Sequence, residues 1–458
     1  MAVLFGLLIC WLFRLERNPK VTYSRELWIP IVWLWFSSSR SPSRWLDAIS
    51  SSTSTISALE GNPLDRNIYL ALLIVGIGVL CCRQVRLRAI LGRHFPVLFY
   101  FAYCAVSTLW SEHTDVAFKR WLKALGDLVM VLIVLSEKNQ TDAFRRVLTA
   151  VGFQLIPLSV LFVKYFPELG RTIRKWVWTP MYTGVCTTKN ELGMTCLIFG
   201  LASLWCFCGA YSQRPCPQRT RRMIAHGVIL VFTAYLFWIA DSMTSLACFF
   251  MAGSAILLTS LGILPRRAGT ATLYIGAVFA ACYAALFLDL GAGALETMGR
   301  NPTLTGRTET WEIVLGLVSN PLGGAGYESF WISDALRRVA DHVPFNQAHN
   351  GYIEIYLNLG WIGVMLLAVV ILAGFRNVAS RFGAGMEAGS LYVALFATVL
   401  VYNLTEASFK MMSPMWIAFL VAVMADRGAG RCSVRRSQTG GVLTVSLPEQ
   451  SPASVLPR

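Results

Sequence analysis

Apolar runs long enough to cross a bilayer recur along the chain, separated by short polar or basic segments. A helix needs about 20 apolar residues to span the hydrocarbon core. Runs of that kind occupy 67–82, 95–110, 121–135, 147–166, 192–210, 223–240, 243–264, 270–290, 352–375, 390–402 and 411–424. Two shorter runs, 2–13 and 27–36, precede them. In lipid every backbone polar group must find its partner inside the segment, so such runs fold as helices. A membrane barrel would show shorter segments of alternating polarity. The pattern predicts an all-α, polytopic integral membrane protein with about 12 transmembrane helices. The first run lacks a small-residue cleavage site, so it reads as a truncated span and not as a removed signal peptide.

Composition agrees. Hydrophobic residues make up 55% of the 458 positions and charged residues only 14%. A soluble domain carries roughly 25% charged residues. Mean hydropathy is +0.55. The periodicity divides the chain into N-terminal transmembrane helices over 1–288, a large polar loop over 289–348, C-terminal transmembrane helices over 349–426, and a Gly-, Ser-, Pro- and Arg-rich tail over 427–458 that reads as disordered.

Forty Lys and Arg against 25 Asp and Glu give a net charge of +15. No basic stretch is interleaved with base-stacking aromatics in a polar domain, so nucleic acid is not the expected partner. The basic residues sit in alternate loops: Arg83 to Arg93, Lys138 to Arg146, Arg214 to Arg222, Arg266–Arg267, Arg376–Arg381 and Arg427 to Arg436. The positive-inside rule puts those loops and the C-terminus in the cytoplasm. The remaining loops are then external. Two of them carry cations against the rule: Lys164, Arg171, Arg174, Lys175 and Lys189 in one, and Arg300, Arg307, Arg337 and Arg338 in the large loop. An anionic ligand at the outer surface accounts for them; the plain alternative is solvation and neutralisation by nearby acids. The twelve cysteines lie mostly in or beside apolar runs and show no four-ligand metal spacing. They read as packing residues.

The large loop has structure of its own. A helix is expected over 308–319 with Trp311, Leu315 and Val318 on one face, then a stop at Asn320-Pro321, a flexible turn at 323–326, and a second amphipathic segment over 327–339. The glycine run lacks the strand and spacing of a dinucleotide site. The loop ends in His349-Asn350-Gly351-Tyr352-Ile353-Glu354 and enters a span directly. Asn350, Glu354 and Asn358 fall four residues apart, a polar stripe of the kind that marks a functional lining in a membrane helix. Gly360 and Gly363 would allow close helix contact. The alternative for His349 is a capping or interfacial role. No acidic cluster of divalent-metal type is expected in the outer loops.

The ordered motifs are Thr188-Lys189-Asn190-Glu191-Leu192-Gly193, Asp241-Ser242-Met243-Thr244-Ser245-Leu246, Thr305-Gly306-Arg307 with Trp311, the Asn320–Gly326 turn, and the His349 stretch. In this order they resemble the O-antigen ligase and Wzy-type polysaccharide polymerase superfamily, in particular its exopolysaccharide-polymerase branch. Met243 departs from the pattern, standing where many members have a basic residue. The resemblance implies a GT-C-like enzyme of the bacterial inner membrane whose large loop is periplasmic. Its donor would be an undecaprenyl-diphosphate-linked glycan and its acceptor a glycan or lipid-linked hydroxyl. Transfer would invert the anomeric centre and need no metal or other cofactor. His349 and Arg307 would be catalytic. Lys189, Asn190, Arg171, Arg174, Lys175, Asn350 and Glu354 would bind substrate. Chain-length regulators and flippases are the protein partners this reading allows. A polymerase is favoured over a ligase that passes finished glycan to lipid A-core or protein, and both over a polysaccharide or lipid transporter, because no internal repeat or midplane helix break of transporter type is legible.

Overall fold

The computed structural model describes residues 1–17, 24–50, 61–173, 180–287, 307–337 and 347–426. The expected tail over 427–458 lies outside them. Residues 1–426 form one unit. Its helices are α1 (Ala2–Glu16), α2 (Trp28–Ser37), α3 (Pro42–Ser50), α4 (Pro63–Cys82), α5 (Gln84–Arg93), α6 (Phe95–Ser107), α7 (Thr114–Leu135), α8 (Gln140–Tyr165), α9 (Pro167–Gly170), α10 (Lys189–Tyr211), α11 (Pro217–Ala240), α12 (Met243–Ser260), α13 (Ala268–Phe287), α14 (Arg307–Gly316), α15 (Asp334–Arg337), α16 (Gly351–Gly383), α17 (Gly389–Thr405) and α18 (Pro414–Met424). A two-stranded antiparallel hairpin, β1 (Arg171–Ile173) and β2 (Pro180–Tyr182), follows α9.

Each apolar run of the sequence contains a helix among the described residues. Among the described residues six helices are long and apolar enough to cross a membrane: α4, α8, α10, α11, α12 and α16. A seventh arises if the pair Leu87–Arg93 and Phe95–Trp110, bent by 85°, makes one span. The apolar segments Ala268–Cys282, Gly389–Thr405 and Pro414–Met424 are shorter. The basic loop at Arg83 to Arg93 is itself helical, as α5.

Local chemistry starts the helices where the sequence changes character. Thr188 and Glu191 form a capping box that satisfies the first donors of α10. Ser413 accepts the N–H of Trp416, with Pro414 in the first turn of α18. Close packing is set by small residues: a methyl group on Gly126 of α7 would overlap the ring of Trp33 in α2. Trp33 in turn donates its indole N–H to the buried Asp127 at 2.7 Å.

The basic loops gather at one end of the bundle. Arg83 pairs with Glu137 at 2.8 Å and Glu26 at 3.0 Å. Arg93 pairs with Asp426 at 2.9 Å, and Arg222 with Glu16 at 2.9 Å. Arg145 bridges Asp142 and Glu387, and lies over the ring of Trp205.

The large-loop residues differ in two ways from the sequence reading. Residues 327–337 form turns, a short 3₁₀ stretch at Phe330–Ile332 and the single-turn α15, not one amphipathic helix. The 321–326 segment is not a free turn. It lies against α16, which breaks at Gly360 (φ 61°, ψ −165°). The broken helix loses its own ladder there, and the loop replaces it. Trp361 and Ile362 donate to the carbonyls of Pro321 and Leu322, and Ala325 and Gly326 donate to those of Leu357 and Asn358. Gly360 and Gly324 both have positive φ, and a methyl group on either would overlap the backbone of the opposite segment. Gly360 therefore permits a close approach of loop backbone, where helix contact had been expected.

Candidate active site

The polar stripe that opens α16 is built onto the end of α17. Asn350 is the N-cap, its side-chain oxygen accepting from Tyr352 N at 3.0 Å and Ile353 N at 3.2 Å. Its amide nitrogen donates to the Leu404 carbonyl at 3.2 Å. Gly351 N–H donates to the Glu406 carbonyl at 3.1 Å, and a side chain on Gly351 would overlap the Asn403 side-chain oxygen. Asn403, fully buried, shapes the turn after α17 by accepting from Ser408 N and Phe409 N. These bonds force His349 into the left-handed region, φ +50°. For a residue with a Cβ that conformation costs about 1–3 kcal/mol.

The strain places His349 Nδ1 3.2 Å from Glu406 Oε2. A carboxylate only accepts, so Nδ1 carries the proton and the basic lone pair is on Nε2. The Gln347 amide also lies 3.3 Å from Nδ1, a contact that a flip of that amide accommodates. The other Glu406 oxygen accepts from Asn190 Nδ2 at 2.9 Å. The Thr188-Lys189-Asn190 motif and the His349 motif thus meet through Glu406.

Glu354 faces the large loop. Its oxygens accept from Ala348 N at 2.6 Å and Trp331 Nε1 at 2.7 Å. Trp311 donates its indole N–H to the Ala348 carbonyl at 2.7 Å and packs with Val314, Phe330 and Leu357. Asn358 accepts from Phe330 N and donates to the Glu354 carbonyl. Glu354, Trp311 and Asn358 therefore bind the loop to the histidine segment.

The cations divide. Lys189 donates to the carbonyl of Asp241 at 3.2 Å and its carboxylate at 3.3 Å. Arg171 donates through Nε and Nη2 to the Val163 carbonyl at 3.0 and 2.9 Å, with its guanidinium over Tyr182. Both hold partners inside the chain. Arg174 and Lys175 lie outside the described residues. Arg307 opens α14, and its side chain lies outside them too.

Beside this junction is a cavity of about 290 Å³ lined by Asn190, Glu354, Glu406, Glu328, Trp331 and Lys410, among others. Glu406, Lys410 and Glu328 were not among the sequence candidates. Burial pushes the Glu328 carboxyl above the ordinary glutamate range, while Lys410, Arg120 and a backbone N–H from Met411 pull it down. The loops also bring Glu112, His113 and Asp334 together, with ligand atoms within 4.8 Å of one another. This corrects the expectation that no acidic cluster forms there. Glu112 already accepts the Asp334 N–H at 2.7 Å.

Residues 193–368 match the family described as Wzy_C, O-antigen ligase. Over 314 residues the chain is 26% identical to the exopolysaccharide production protein ExoQ of Rhizobium meliloti (strain 1021), a stretch covering 64% of this chain and 68% of that protein. The family match takes in the His349 segment and the large loop; Asn190 and Glu406 fall outside it. Over residues 193–368 the chain is thus similar to the O-antigen ligase family, and its wider likeness is to an exopolysaccharide production protein.

Proposed function

We propose that the protein is a membrane glycosyltransferase that moves a glycan from a polyprenyl diphosphate to an acceptor hydroxyl, acting as a polysaccharide polymerase. The observation that carries this reading is the His349–Glu406 pair beside a polar cavity. The acceptor oxygen attacks the anomeric carbon, and its proton passes to His349 Nε2. The bond from that carbon to the diphosphate oxygen breaks, and the electron pair leaves with the diphosphate. Glu406 holds the imidazole in the basic tautomer and stabilises the imidazolium, the orienting role a carboxylate plays in hydrolase triads. Charge on the leaving diphosphate needs cations. Arg307 is assigned that task, with Lys189, Arg171, Arg174 and Lys175 as further members of the basic surface. Asn190 and Asn350 position the pair, and Glu354 fixes the loop beneath it. No step in this scheme requires a metal. The site end faces the periplasm, the 289–348 segment is the periplasmic loop, and the C-terminus is cytoplasmic.

The similarity to an exopolysaccharide production protein favours a polymerase over a ligase. The test is polysaccharide size in a deletion strain complemented at matched expression with wild type, His349→Ala or Arg307→Ala. Long polymer with wild type, and a single lipid-linked repeat with both variants, is the expected result. Long polymer left on its lipid carrier by the deletion strain would identify a ligase. Variants equal to wild type would overturn the site.

A further inference from the structure

A second, larger cavity of about 640 Å³ adjoins the first, and Glu191, Met194 and Lys410 line both. Its volume is in the range of small-molecule sites, about 300–1,000 Å³. No comparison assigns it a role: most of its lining comes from residues 36–69, Lys123 and 410–414, outside the family match.

The wall is rich in hydroxyl and amide groups, including Ser37, Ser39, Ser41 and Asn62. Its titratable and charged groups are Arg44, Asp47, Asp65, Tyr69, Lys123, Glu191 and Lys410. Two of the carboxylates are spent on the protein. Asp65 accepts from Ser43 N at 2.7 Å and Ser43 Oγ at 2.8 Å. Glu191 accepts from Thr187 N at 3.0 Å and Thr187 Oγ1 at 2.5 Å. The two lysines make no direct pair. Among the described residues neither Lys123 nor Lys410 makes a direct ion pair or hydrogen bond; Lys123 lies over the Tyr69 ring at 5.5 Å and feels Asp65 only through space, as Lys410 feels Glu328 and Glu354.

Their positions are fixed by a third group. Asp127, one helical turn beyond Lys123 on α7, accepts from Trp33 Nε1 at 2.7 Å and from Met412 N at 2.8 Å. It anchors the 410–412 segment against α7, so both ammonium groups are held at one cavity. Lys123 lies at the start of the apolar run 121–135, where a cation with no carboxylate in direct contact is costly and marks a ligand path by default.

We infer that this cavity binds a glycan through an anionic group that Lys123 and Lys410 recognise. The inference rests on the glycan-transfer reading above and deepens it. Two sources supply the same chemistry: the carboxylate of an acidic sugar, or the diphosphate of the lipid carrier.

The experiment uses full-length protein in lipid nanodiscs. Affinity is measured for undecaprenyl diphosphate without sugar, for a neutral oligosaccharide, and for the same oligosaccharide carrying a uronic acid. Lys123→Gln and Lys410→Gln should each weaken an anionic probe about tenfold and leave the neutral one unchanged, and Lys123→Arg should restore binding. Loss confined to the uronate probe identifies the acidic sugar; loss confined to the diphosphate probe identifies the carrier. Unfolding midpoints equal to wild type separate these effects from misfolding, and the part-exposed Lys410 supplies the second variant. Both glutamine variants binding both anionic probes like wild type would overturn the inference. So would wild type binding neither. Turnover of lipid-linked glycan is measured separately. Lysine-dependent binding without turnover leaves the cavity standing and removes the transfer reading; turnover with lysine-independent binding does the reverse.

Discussion

The two ends of the bundle treat most of their charge differently, although the His349 end also holds the Lys189–Asp241 and His349–Glu406 pairs. At the end that gathers the basic loops, arginines meet acids: Arg83 with Glu26 and Glu137, Arg145 with Asp142 and Glu387, Arg222 with Glu16. At the His349 end, several carboxylates are consumed by neutral donors. Glu354 takes a backbone and an indole N–H, and Glu191 takes backbone and hydroxyl donors. Lys123 and Lys410 line the cavities there with no carboxylate in direct contact, Asp65, Glu328 and Glu354 acting on them only through space. Charges paired within the chain hold helices together, whereas cations left over beside a polar cavity are available to a ligand. The difference separates residues that build the fold from residues that would act on a substrate.

The comparison breaks most sharply at His349. His349→Ala is expected to lower transfer roughly 10²–10⁴-fold, the usual worth of a general base. Glu406→Gln should cost a large part of the same factor, because an amide no longer fixes the tautomer. In vitro transfer from a lipid-linked glycan measures both, with thermal unfolding as the control. If Glu406→Gln transfers like wild type, the pair is a structural contact, and this end resembles the other.

Next come the glycines that fit the site to its scaffold. Gly351→Ala and Gly360→Ala put a methyl group into Asn403 and into the Leu322 backbone respectively. Each should cost about 1–3 kcal/mol, read as a lower unfolding midpoint and reduced folded yield. At the other end, Arg145→Met should cost about 1–2 kcal/mol by removing the ion pair of the partly buried Asp142, which keeps only its Asn139 amide partner. Turnover per folded molecule should be unchanged. A loss of turnover with normal stability would mean that the paired end also takes part in the chemistry.

Much of this was legible in the sequence, for physical reasons. Apolar runs dictate helices, and each predicted run contains one among the described residues. The Asn350 cap and the Thr188–Glu191 box follow from residue type and spacing. Of the expected loop face, Trp311 and Val318 pack into the loop cluster, whereas Leu315 is exposed. Long-range partners were not legible. Glu406 is 57 residues from His349, and nothing local pairs them; the one available signal was a run of polar residues, Asn403 to Lys410, interrupting two spans. Lys189 and Arg171 looked like ligand cations because sequence shows charge without its partner. Their partners, Asp241 and the Val163 carbonyl, come from the tertiary packing of α10 on α11 and the turn after α8. The Gly360 break was hidden because an intervening loop, not a neighbouring helix, fills the space it opens.

The smallest expected effect concerns Glu328, which lies between the two kinds of charge. Its backbone is left-handed (φ 52°), and its carbonyl accepts from Arg120. Burial holds its carboxyl protonated to a higher pH than in an unfolded chain, against the pull of Lys410 and Arg120. In the window between the unfolded and folded values, the folded protein binds more protons. Unfolding there releases a proton, so this group's contribution to stability falls as pH rises through the window and grows as pH falls. The slope from one group is at most about 1.4 kcal/mol per pH unit. Glu328→Gln keeps the shape and removes the titration. Its unfolding midpoint should therefore depend less on pH than that of wild type just above the ordinary glutamate range, with no change at lower pH. Identical profiles would mean that Lys410 and Arg120 fully offset the burial. Lys410 would then be engaged by Glu328, and the contrast between the two ends of the bundle would narrow to Lys123.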